Sequence, residues 1–186
     1  MRRRMLLLPL LLLPLAACNV LGLTGDDAVG SVAVADVKPG YADPDAAVAM
    51  VSAYRRSHGL SAVTINPKLT AIAASHAKRM AALNRVDHVL PGEGSFMKRM
   101  AAGGYDAGVA AENIGAGYDT LGEAMTGWKK SPHHNENLLR AGITEIGIAV
   151  AEAPGTRFRY FWSIVLAAPY QPPVGAPMGG PFMFTQ

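Results

Sequence analysis

After Gly142 the apolar residues recur at every second position, with Ile146, Ile148 and Val150 alternating with the smaller Gly147, Ala149 and Ala151. Pro154-Gly155 then makes a turn, and Phe158, Tyr160, Trp162 and Ile164 continue in a second alternating run. Two period-two runs joined by a turn read as an antiparallel hairpin. Everything ordered before that point has the helical period, and helices followed by a hairpin imply an α+β domain with helices laid against a small antiparallel sheet.

Four helices are expected ahead of the hairpin. The first starts at Asp43 or Pro44, shows Ala47, Met50, Val51 and Tyr54 on one face, and ends at Gly59. A second has Asn66 as its cap and Pro67 in its first turn, with an apolar face of Leu69, Ile72, Ala73, Met80 and Leu83. Ser95 to Met100 forms a short third turn stopped by Gly103 and Gly104. In the fourth, Thr120 and Glu123 give a capping-box pattern, and Leu121, Ala124, Met125 and Trp128 fall at i, i+3, i+4 and i+7.

The amino-terminal segment sets the compartment. Arg2, Arg3 and Arg4 precede an apolar run from Met5 to Leu13, followed by Leu15-Ala16-Ala17-Cys18. Charge, apolar core and small residues in that order read as an export signal. The run is interrupted by Pro9 and Pro14 and falls short of the roughly 20 apolar residues that a spanning helix needs. Leu15-Ala16-Ala17-Cys18 looks like a lipobox, so residues 1–17 are expected to be removed and Cys18 to carry lipid. More than one acyl chain, at about 0.8 kcal/mol per buried methylene, holds a protein firmly to a bilayer. Asn19, rather than Asp, follows that cysteine, which points to the outer membrane and a domain facing the periplasm.

Charge and composition narrow the rest. The +3 of the whole chain belongs to Arg2, Arg3 and Arg4, and the remainder balances 14 basic against 14 acidic residues. A nucleic-acid partner is therefore not expected. Cys18 is the only cysteine, so no disulfide staples the domain and its core alone must hold it. Residues 18–43 read as lipidated cysteine and tether, 44–168 as the domain, and 169–186, with Pro172, Pro173, Pro177 and Pro181 among glycines, as a tail.

Three polar groups are expected on irregular segments, where binding groups usually sit: His88, Glu112 in Ala111-Glu112-Asn113-Ile114, and His134 in Ser131-Pro132-His133-His134. The order His88, Gly104-Tyr105, Glu112-Asn113-Ile114, Trp128, Ser131-Pro132-x-His134-x-x-Asn137-Leu138-Leu139, Gly147, Tyr160-Phe161-Trp162 resembles the bacterial branch of the CAP (SCP-like) superfamily. Leu60, Asn66 and Leu69 fit upstream, so the match runs over about residues 44 to 168. The resemblance implies an α-β-α sandwich with two histidines and one or two acids lining a central cleft. By motif, His88 and His134 match the two histidines and Glu112 the glutamate of the Glu-Asn-Ile motif. Several family members bind zinc or another divalent ion there, and some bind sterols or fatty acids elsewhere on the domain. Ser131 stands where many animal members carry a second glutamate, which removes one acid from the set.

The residues leave two readings of this trio open. Two neutral imidazoles and a carboxylate hold zinc with one position free for water, whose pKa would fall toward about 7, with Glu112 as general base. Alternatively the histidines tie loops together by hydrogen bonds, and Glu112 braces a loop by accepting backbone N–H groups. His133 and Ser131 are further candidates for the cleft. His76 falls on the apolar face of the second helix and reads as a core histidine, and His58 sits at a helix end where the dipole accounts for it. Trp128 and Trp162 read as core, and Asn137 as a cap.

The sequence carries no His-Glu-x-x-His, no Gly-x-Ser-x-Gly and no phosphate loop. A non-enzymatic envelope module that binds a lipid, glycan or protein therefore ranks ahead of a metal-assisted, peptidase-like hydrolase. A purely structural lipoprotein is the third reading.

Overall fold

A computed structural model describes residues 38–172. The expected export signal, the expected lipidation of Cys18 and most of the expected tether lie outside the described residues, as does the expected tail from 173 onward.

Among the described residues, five helices and four strands follow one another as α1 (Pro44–Ser57), β1 (Thr64–Ile65), α2 (Pro67–Leu83), α3 (Phe96–Ala102), β2 (Ala107–Ala116), α4 (Leu121–Lys130), α5 (Pro132–Leu138), β3 (Glu145–Glu152) and β4 (Tyr160–Pro169). Their starts follow local chemistry. Asp43 accepts the Asp45 and Ala46 amides, Asn66 accepts those of Lys68 and Leu69, and Thr120 and Glu123 close the expected capping box. Helix α2 ends on Asn84 in the left-handed region, φ 46°, a conformation that asparagine tolerates better than most residues.

The sheet order is β1-β3-β4-β2. The expected β3–β4 hairpin is antiparallel, with Ile148 opposite Ile164, and β2 adds antiparallel to β4. The sheet is not purely antiparallel, because the two-residue β1 pairs parallel to β3. Phe158 falls outside the second strand, which begins at Tyr160 after Arg159 turns with φ 59°.

Strand β4 is buried on both faces and divides the core. Trp162, Ile164 and Leu166 join Ala47 and Val51 of α1, Leu121, Met125 and Trp128 of α4, and Leu138 of α5. Val165 and Ala167 face the other way, onto Leu69, Ile72 and Ala73 of α2 and Met100 of α3, and Phe161 meets Met80 and Leu90. The result is an α-β-α sandwich. Leu83, expected on the buried face of α2, is exposed in the last turn of that helix.

The small residues of β3 have a packing reason. A Cβ built on Gly147 would stand 2.1 Å from the backbone of Leu69 and Thr70, so α2 lies directly against the sheet there. Both indole N–H groups are spent inside the fold, Trp128 donating to Ile114 O and Trp162 to Tyr118 O.

Candidate functional site

Strand β2 carries the acid of the site to the sheet edge. Glu112 lies opposite Val165 and therefore shares the α2–α3 face, whereas Asn113 lies opposite Ile164 and points to the α1–α4–α5 face. Neighbouring residues of one strand thus serve opposite layers. Glu112 sits in regular strand and His134 in α5, not on the irregular segments expected of them; only His88 is in a loop.

Glu112 is 5% exposed and its partners are side chains, not the backbone amides of the loop-bracing reading. Arg99 of α3 donates Nη1–H to Oε1 and Nη2–H to Oε2, each at 2.8 Å. His88 Nδ1 lies 2.9 Å from Oε2, and His76 Nε2 lies 3.9 Å from the same oxygen. Burial alone would raise the Glu112 carboxyl, but the hydrogen bonds from Arg99 and His88 and the Arg99 charge hold it below the usual carboxylate range. Arg99 also donates Nη2–H to His88 O at 3.1 Å, so one guanidinium fixes both the acid and the loop bearing the first histidine.

Behind this pair lies His76, fully buried on α2 as expected of a core histidine. Its Nδ1 meets Glu93 Oε2 at 2.9 Å. The order Glu93, His76, Glu112, His88 is a file of alternating carboxylates and imidazoles, buried in its middle and reaching the surface at Glu93 and, more openly, at His88, where half of the side chain is exposed.

From the opposite layer, α5 brings the second histidine. Asn113 donates to His134 O at 2.9 Å, and Asn137 donates to Glu112 O and to Asn113 Oδ1. Asn137 therefore braces the edge of β2 and is not a cap for the following segment. Arg55, fully buried, donates to Leu138 O, Arg140 O, Ile143 O and Ser61 O. The His134 imidazole is pushed below its ordinary value by burial first, then by the neighbouring His88 and His133. His133 is exposed and Ser131 joins α4 to α5 without a side-chain capping bond. His58 closes α1, its Nδ1 2.9 Å from Tyr54 O.

A divalent metal finds a poor donor set here. Both Glu112 oxygens carry Arg99, leaving two imidazoles, and among the described residues no three His, Cys, Asp or Glu side chains converge in a way that would hold an ion. The residues present do not fit a three-ligand centre.

Arg99, His76 as a neighbour of Glu112, and Asn137 as a brace escaped the sequence reading. The signal for Arg99 was present: Phe96, Arg99 and Met100 share an i, i+3, i+4 stripe, and a cation on an inward stripe requires either a buried anion or a set of buried carbonyls.

Comparison with known proteins places these observations. The model of the cysteine-rich secretory protein family, CAP, matches residues 48–166. The uncharacterized membrane protein YlbC of Bacillus subtilis is 30% identical over 101 residues, 54% of this chain and 29% of that protein; the chain spans less than a third of that curated relative. An extracellular protein containing an SCP domain from Bacillus anthracis is similar with a TM-score of 0.59 and 25% identity, over 65% of this chain and 38% of that one. An outer surface protein of Borrelia burgdorferi shares the fold at a TM-score of 0.59 and 19% identity, over 66% and 90% of the two chains.

Proposed function

The chain belongs to the cysteine-rich secretory protein family, and from that premise we propose that it is a non-enzymatic binding module held at the outside of a membrane by lipid on Cys18. The lipobox-like Leu15-Ala16-Ala17-Cys18 supports the anchor. The relatives support the compartment: one is a membrane protein, one extracellular and one an outer surface protein. Among the described residues no helix is long and apolar enough to cross a membrane.

One observation carries the choice of binding over hydrolysis. Glu112, the single acid of the trio, has both oxygens engaged by Arg99 and is held as a carboxylate below its usual range. A general base must be free to take a proton, and this one is committed to holding Arg99 and His88. The surface where His88 neighbours His134 then serves recognition, with an envelope lipid, glycan or protein as the ligand class.

The test is to incubate the intact chain, solubilised in detergent, with separated lipid, glycan and protein fractions of a bacterial envelope, following retention and the mass of each fraction together. Saturable retention without new products is the expected result. Product release that disappears in His134→Ala, with circular dichroism unchanged, would replace this reading by a hydrolase.

A further inference from the structure

The buried file behind His88 decides which of its ring nitrogens faces the ligand. Glu112 accepts one guanidinium N–H on each oxygen, in the fork geometry of an ionised carboxylate. A carboxylate so engaged has no proton to donate, so its contact with His88 Nδ1 at 2.9 Å requires Nδ1 to be the donor. Arg99 also holds the His88 carbonyl at 3.1 Å, which fixes the backbone from which the ring projects. The second nitrogen, Nε2, has no hydrogen-bond partner among the described residues, and the ring is 51% exposed.

Resting on the reading of this surface as a binding site, we propose that Arg99, Glu112 and His76 are positioning residues that hold a proton on His88 Nδ1, so that in the singly protonated ring Nε2 faces outward as an acceptor for a ligand hydroxyl. A carboxylate or phosphate brings no hydrogen to such an atom, whereas a hydroxyl does. His76 contributes by geometry: fully buried and anchored through Nδ1 to Glu93, it closes the inner side of Glu112 against water. Its Nε2 has no hydrogen-bond partner and lies 3.9 Å from the Glu112 oxygen that receives His88. The hydroxyl chemistry is shared by a sugar and by a glycerol headgroup.

Long-range proton–nitrogen spectra of the intact, labelled chain in detergent micelles at pH 8 read the tautomer directly. One hydrogen bond to a charged carboxylate should give at least a roughly tenfold excess of the form protonated on Nδ1; equal populations, or an excess of the other form, overturn the proposal. Arg99→Gln should collapse the excess and Arg99→Lys restore part of it, which a merely structural role would not do. If neither variant folds, the wild-type spectrum still decides the tautomer. In the same sample, a chitotriose titration and a separate addition of phosphatidylglycerol micelles distinguish the two sources. A saturable shift of the His88 Nε2 resonance with either supports hydroxyl recognition, and no shift with both overturns it. Envelope fractions that bind without moving Nε2 would sink this inference while leaving the binding module intact; fractions that do not bind at all would sink both.

Discussion

Arg99 and Glu112 meet edge to edge beneath the surface, with two parallel N–H···O bonds of 2.8 Å joining a helix to an edge strand. Removing one partner strands the other. Arg99→Met should destabilise the fold by about 3–5 kcal/mol in urea unfolding. The double change Arg99→Met with Glu112→Met should cost less than the sum of the two single changes, with a coupling of about 2 kcal/mol. Strict additivity would show that the pair does not act as a unit.

Acid should undo the same pair. Because the folded Glu112 carboxyl lies below its unfolded value, its contribution is complete above the ordinary carboxyl range and is lost as pH falls through that range toward the folded value. His134 adds a loss at higher pH: its folded imidazole is also depressed, so the unfolded chain takes up a proton that the folded one refuses as pH drops through the ordinary histidine range. Urea midpoints measured from pH 8 to pH 3 should decline in two stages, and His134→Gln should flatten the stage between roughly pH 7 and 5.

Gly147→Ala tests the contact of α2 with the sheet. Its new methyl would lie 2.1 Å from backbone atoms, which cannot swing aside as a side chain does, so a loss of about 3 kcal/mol is expected. Gly155→Ala, with open space but φ +80°, should cost about 1 kcal/mol. Equal costs would mean that α2 can lift away without penalty.

Arg55→Met leaves the Ser61, Leu138, Arg140 and Ile143 carbonyls without their donor. About 3 kcal/mol should be lost by urea unfolding, with faster amide exchange in α5 than in β4. Unchanged exchange in α5 would show that this helix stands without the guanidinium.

Cys18→Ser should abolish labelling by radioactive palmitate and move the protein from the membrane to the soluble fraction. Retention in the membrane would place the anchor elsewhere.

The elements that carry their own signals were legible. Asn66-Pro67 and the Thr120–Glu123 box announce α2 and α4 locally, and the β3–β4 alternation announces the hairpin. Strand β2 gave no such signal, because Ala107-Gly108-Val109-Ala110-Ala111 is small throughout and hides any period of two. Its polar residues are buried on both faces because each layer supplies a partner, Arg99 for Glu112 and Asn137 for Asn113. Those partners stand 13 and 24 residues away in sequence, a separation that local pattern does not encode. His88 and His134 were legible as residues, but the arginine that occupies the acid between the layers was not.

The braces around the second histidine share a habit. Arg55 grips the end of α5 by the carbonyl of Leu138 and the segment after it by that of Arg140, and Asn113 grips the helix by the carbonyl of His134. A carbonyl is the same whatever side chain its residue bears. Positions 131, 133 and 134 can therefore be rewritten while the helix that presents them stays in place, so the chemistry shown at this surface can change without a new way to fold.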